Sequence, residues 1–160
     1  QPMIDSEPTS LGQTPLPASM RIVSALKLLG GVAEKALVLG RAEEAERILQ
    51  QVLFDLRGRA REGVSFDAQT LETGAKLGAR LAGATLKPSW VTYCFELYVS
   101  VGRPLPAPAV DELYNVVRKV KGVDPKSLRG YVAVLRAEQA SFGPADKFLL
   151  QRLEGLQQLL

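Results

Sequence analysis

Residues 29–53 read LGGVAEKALVLGRAEEAERILQQVL, and this stretch decides the fold. Before Gly40, the residues Leu29, Ala33 and Ala36 recur three and four positions apart, and Ile22 and Leu26 extend the stripe backwards. After Gly40, Ala45, Ile48, Leu49, Val52, Leu53 and Leu56 repeat the pattern. Apolar residues at that period share one face of an α-helix. Glycine between two such stripes ends the first helix, because it takes left-handed dihedrals at little cost. Glu43, Glu44 and Glu46 open the second stripe and Arg57, Arg59 and Arg61 close it, which complements the helix dipole. Glu43 with Arg47, and Asp55 with Arg59, are acid-then-base pairs four apart. Two helices, over 19–39 and 41–61, joined by so short a turn lie antiparallel.

The same punctuation continues to the C-terminus. A third helix follows Asp67 as N-cap, with Phe66 and Leu71 spaced as a hydrophobic staple. Its Gly74, Ala75, Gly78, Ala79, Ala82 and Gly83 predict a helix gripped closely by neighbours. A fourth, over 89–101, carries Trp90, Val91, Tyr93, Cys94, Phe95, Leu97 and Tyr98 and leaves little polar face, as a central helix does. The fifth follows the prolines 104, 106 and 108 and places Val110, Leu113, Val117 and Val120 on one stripe. The sixth has Asp124 as N-cap and Pro125 in its first position, and the seventh carries Leu149, Leu153, Leu156 and Leu160. Gly30-Gly31 inside helix one costs about 1 kcal/mol per glycine, which predicts a close neighbour or a bend there. Residues 64–66 are the one candidate for a short β excursion. The fold class is therefore all-α, with about seven antiparallel helices.

Residues 1–18 hold four prolines and no apolar period, so they predict a disordered linker ahead of a helical domain over 19–160. Thr9, Ser10 and Thr14 are candidate phosphorylation sites within it. A chain beginning Gln1-Pro2 reads as a piece of a longer protein.

Leu29, Val32, Ala33, Ala36, Gly40, Ala45, Leu49, Val52 and Leu53 fall at the spacings of a tetratricopeptide repeat, which residues 29–53 resemble. YVSVGR, over 98–103, echoes the turn in LVLGR. The resemblance implies an α-solenoid, with an irregular helical bundle as the other architecture. It also implies a partner-binding surface lined by the first helix of each pair, which places Lys27 and Glu34 on it. VTYCFELYVSVGR, over 91–103, is similar to pentatricopeptide repeats, a family of RNA binders, but its spacing is two residues shorter.

Composition removes much chemistry. The chain has no histidine and one cysteine, Cys94. Ser-His-Asp and Cys-His catalysis, imidazole acid–base work and His- or Cys-built zinc sites are excluded. No glycine motif fits a phosphate loop. Cys94, among apolar neighbours, reads as core rather than as a reactive thiolate. Trp90, Tyr93 and Tyr98 fill the core in the favoured reading and line a peptide groove in the other. The net charge of +3 is common in ordinary soluble proteins. The densest basic cluster is Arg118, Lys119, Lys121, Lys126 and Arg129, with Asp124 inside it and Tyr114 and Tyr131 nearby. Phosphate contacts with aromatic stacking would suit nucleic acid.

The resulting expectation is a cytoplasmic, non-enzymatic scaffold or adaptor module of a larger regulatory or assembly protein, without cofactor, metal or membrane partner. Its partner is another protein or peptide. The alternative is a nucleic-acid-binding domain using the 118–129 cluster. The Ala-, Arg-, Leu- and Gly-rich composition suggests a bacterial source.

Overall fold

A computed structural model describes residues 16–160. Thr9, Ser10, Thr14 and nearly all of the expected linker lie outside the described residues. Seven α-helices follow one another: α1 (Ala18–Val38), α2 (Ala42–Arg61), α3 (Ala68–Thr85), α4 (Pro88–Val99), α5 (Ala107–Val116), α6 (Pro125–Glu138) and α7 (Pro144–Gln157). A single 3-10 turn, Gln139–Ser141, joins the last two. Among the described residues no strand forms, and residues 64–67 are an irregular connection. The alternating pattern needed for a β segment is only three residues long there, too short to hold a ladder.

Helix pairs in broad contact are one or two apart in the chain. α1 lies against α2 and α3, α3 against α2, α4 and α5, α4 against α2 and α6, and α7 against α5 and α6. The odd helices thus form one layer and the even helices a second. Pairwise contacts show that the odd helices run parallel. Leu77 of α3 reaches Gly30 of α1, and Arg80 pairs with Glu34 one turn further on. Val116 of α5 reaches Gly83, and the Tyr114 hydroxyl donates to the Arg152 carbonyl of α7.

The core lies between the layers, with Leu26, Leu49, Leu53, Leu81, Phe95, Leu113 and Leu128 at most 2% exposed. Ala33 and Ala45 are fully buried, as the small positions of the α1–α2 pair require. α4 is the central helix, with Trp90, Val91, Tyr93, Cys94, Phe95, Leu97 and Tyr98 all buried. Two of its three polar ring groups are satisfied: the Tyr93 hydroxyl donates to the Leu53 carbonyl at 2.7 Å, and Trp90 Nε1 donates to Glu46 Oε2 at 2.7 Å. Burial opposes the Glu46 charge, yet the hydrogen bonds from Lys87 and Trp90 outweigh it and hold the carboxyl below its usual range.

Several local expectations change. The tight glycines are those of α3, together with Gly155 of α7, and not Gly30-Gly31: a Cβ at Gly30 would make ordinary contact with Leu77, and one at Gly31 would meet nothing within 4 Å. α5 stops at Val116, so Val117 and Val120 are buried from the turn that follows it. In α7 Leu150, Leu153 and Leu156 enter the core, while Leu149 is half-buried. The pairs Glu43–Arg47 and Asp55–Arg59 do not form among the described residues. Gln51 donates to Asp55 instead, and Arg59 pairs with Glu62. Exposed partners four apart gain too little in water to fix their rotamers. Asp111 of α5 pairs with Arg152 of α7 across the layer.

The C-cap of α3 is Leu86, with φ of +61° and its side chain 53% exposed. A Cβ in that region crowds the neighbouring carbonyl oxygen, at about 1–2 kcal/mol. Leu86→Gly is therefore expected to stabilise the chain by about 1 kcal/mol, read as a rise in urea midpoint without a change in slope. An unchanged or lower midpoint would mean that the leucine side chain offsets its backbone strain through packing.

Candidate functional site

The parallel odd helices bring the starts of α3, α5 and α7 to one end of the molecule. A cleft of about 570 Å³ opens there. Leu71, Tyr98 and Val101 form its apolar base, Phe66 and Ala68 one wall, Pro104, Pro106 and Ala107 another, and Asp146 and Leu149 of α7 a third. The proline wall is held from both sides. Leu105 is fully buried between the two prolines, and the Arg103 carbonyl accepts a hydrogen bond from the Tyr131 hydroxyl at 2.6 Å. Proline fixes φ, so this lip is stiff.

Polar groups line the same cleft. Arg103 Nη2 meets Asp146 Oδ2 at 3.3 Å and ties the lip to α7. Glu72 projects from α3. Tyr98 is 4% exposed, and its hydroxyl makes no hydrogen bond among the described residues, unlike those of Tyr93, Tyr114 and Tyr131. Burial and then the Glu72 carboxylate push its ionisation well above the ordinary tyrosine range. It stands in the cleft as a neutral donor.

Two smaller depressions continue the cleft. One, between α3 and α5, contains Thr73, Lys76 and Pro108 and shares Glu72 and Pro106 with it. The other, between α1 and the α2–α3 connection, contains Met20, Val23, Ser24 and Asp67 and shares Phe66. Together they make one furrow across the starts of the odd helices. Thr70 donates to the Asp67 carboxylate, which this bond above all holds below the usual aspartate range.

The residues singled out from sequence separate into distinct places. Lys27 is exposed on α1, close enough for its charge to act on Asp67 at the edge of the furrow. Glu34 is held by Arg80 of α3, so it couples two helices of the odd layer. Trp90, Tyr93 and Tyr98 are buried, and of the three only Tyr98 lines the cleft. Arg118, Lys119, Lys121, Lys126 and Arg129 are all exposed around the α5–α6 connection, at the opposite end of the molecule, and make no ion pair among the described residues. Tyr131 is fully buried and the Tyr114 ring lies under Arg152, 4.9 Å from its guanidinium carbon. The stacking half of the nucleic-acid reading is therefore spent on the core. Cys94 is fully buried, and burial pushes its thiol up to about 12.

Phe66, Leu71, Glu72, Arg103, Asp146 and Leu149 were missed in sequence because they come from four separate segments. The signal that pointed to them was the proline run 104–108, which marks a stiff connection longer than a turn requires. Among the described residues no three of His, Cys, Asp and Glu gather where a metal ion would be held, and no helix is long and apolar enough to cross a membrane. No protein-family model, curated protein or solved structure matches this chain.

Proposed function

We propose that the chain is a tetratricopeptide-like helical interaction module that holds an extended segment of a partner protein in the furrow across the starts of α1, α3, α5 and α7. The observation that carries this reading is the cleft itself. It joins an apolar base at Leu71 and Val101 to the Glu72 carboxylate and to the Tyr98 hydroxyl, unengaged among the described residues. Sites that bind short segments combine apolar pockets with a few placed polar groups. The layering supports it too, since helices that touch only near neighbours in the chain build extended surfaces by stacking. A partner segment would present an apolar side chain to Leu71 and Leu149 and a donor or cation to Glu72. Binding rather than catalysis is the activity proposed, as a scaffold or adaptor within a larger cytoplasmic, bacterial regulatory or assembly protein.

The test is selection of short peptides from a random display library on the 160-residue chain. Peptides so selected should lose about tenfold or more in affinity against Leu149→Glu, a difference of about 1.4 kcal/mol. Leu149 is only half-buried, so that variant should keep its helical signal. Peptides that bind wild type and Leu149→Glu equally well would place the partner surface elsewhere and remove the proposal.

A further inference from the structure

The end opposite the cleft gathers the finishing turns of the odd helices. Glu34 stands level with Arg80, Gly83 with Val116, and Tyr114 with Arg152. Following each helix to its end brings Val38 and Leu39, Leu86, Lys119 and Leu159 to one side of the molecule. Val38 is 79% exposed, Leu39 65%, Leu86 53% and Leu159 49%. Large aliphatic side chains so exposed are unremarkable singly, but here they crown adjacent helix ends. Leu86 stands there in a left-handed conformation that glycine would hold without strain.

The cations Arg118, Lys119, Lys121, Lys126 and Arg129 surround the α5–α6 corner of this same end, all exposed and unpaired among the described residues. The acid within that cluster, Asp124, accepts a hydrogen bond from the Lys126 backbone as cap of α6. Acidic charge at this end stands instead at the start of α2, where Glu44 faces Arg41 at 3.8 Å.

We infer that this end is a docking surface for an anionic lipid bilayer, with Val38, Leu39 and Leu86 entering the headgroup region and the α5–α6 cations meeting the lipid phosphates and carboxylates. Charge complementarity selects an anionic partner. The apolar tips distinguish a bilayer from nucleic acid, which offers phosphates but no apolar layer at a flat surface. Peripheral attachment needs no spanning helix, since buried apolar area and attraction to acidic headgroups act together. The inference runs against the expectation of no membrane partner; that no described helix is long and apolar enough to cross a membrane leaves surface attachment open.

The experiment is co-sedimentation of the full chain with phosphatidylcholine vesicles and with vesicles containing about one-third phosphatidylserine, at about 50 and 200 mM salt. Binding should appear only with phosphatidylserine and weaken at the higher salt. Changing Arg118, Lys119 and Lys121 to Gln should weaken it about a hundredfold, roughly fivefold per cation. Leu39→Ser with Leu86→Gly should weaken it about tenfold or more while the thermal midpoint stays or rises, which separates lost contact from lost folding. Absence of binding to phosphatidylserine vesicles would overturn the inference. So would binding that ignores the leucine changes. A titration with single-stranded RNA that proves tighter than the vesicles, and is equally indifferent to Leu39 and Leu86, would assign the cations to nucleic acid instead.

Discussion

Leucine in place of Gly78 is expected to cost about 3 kcal/mol or more and to leave a chain without a cooperative unfolding transition. A Cβ at Gly78 would lie 2.8 Å from Tyr93 Cδ1, 3.3 Å from Cε1 and 3.4 Å from Cys94 Sγ. The Tyr93 ring has nowhere to go. It is fully buried, its hydroxyl is bonded to the Leu53 carbonyl at 2.7 Å, and Trp90 sits edge-on to it at 5.4 Å between centroids. Arg57, whose Nη1 meets Glu96 at 2.9 Å, lies over it at 5.2 Å. Moving the ring would break a buried hydrogen bond or separate α3 from α4. Alanine at the same place should already lose stability, although its better helix propensity returns about 1 kcal/mol. Gly74→Ala is the informative contrast. Its Cβ would meet Leu56 Cδ2 at 2.5 Å, the far end of a flexible side chain that, unlike Tyr93, is pinned by no hydrogen bond. Urea unfolding should show the smaller loss at position 74. Equal losses would mean that the pinning of Tyr93 is not what makes Gly78 necessary.

Those glycines also show what the sequence makes legible. Small residues along 74–83 predict close neighbours without naming them, and the neighbours prove to be Leu56, Tyr93 and Val116 from three other helices. Helix positions were readable because glycine, proline and Asp124 mark them, and Asp124 accepts from the Lys126 backbone at 3.0 Å as a cap should. The core character of α4 was readable from its lack of a polar face. The ion pairs were less so. Spacing along one helix suggested Glu43–Arg47, whereas the partly buried pairs Arg80–Glu34 and Arg57–Glu96 join different helices. The cleft was least legible, because Phe66, Tyr98, Arg103 and Leu149 meet only through the stacking of layers. Nothing local distinguishes Leu149 at the cleft from Leu150 in the core, since the choice depends on how α7 sits against α5 and α6.

Alkaline solution should unfold this chain over a narrow range, and the buried thiol and phenols set where. Burial raises Cys94 from 9.0 to about 12 and holds Tyr93 and Tyr131 well above their ordinary 10.0. For each, the protonated form is the neutral one, so the folded state binds the proton more tightly than the unfolded chain. The stability so gained is complete below the unfolded value and disappears as pH rises through the folded one. For Cys94 the window runs from 9.0 to about 12 and the loss across it amounts to at most about 4 kcal/mol. Tyr93 and Tyr131 act in the same direction from 10.0 upward. Helical circular dichroism and the tyrosinate absorbance contributed by Tyr93 and Tyr131 should therefore change together above pH 10, because those two phenols ionise only when the core opens. Cys94→Ala should move the midpoint upward once its packing loss, measured near neutral pH, is subtracted, and it should leave the tyrosine signal coupled to the helix signal. Tyrosinate forming in full while the helices persist would mean that Tyr93 and Tyr131 are reached by water in the folded chain, and would contradict their placement between the two helical layers.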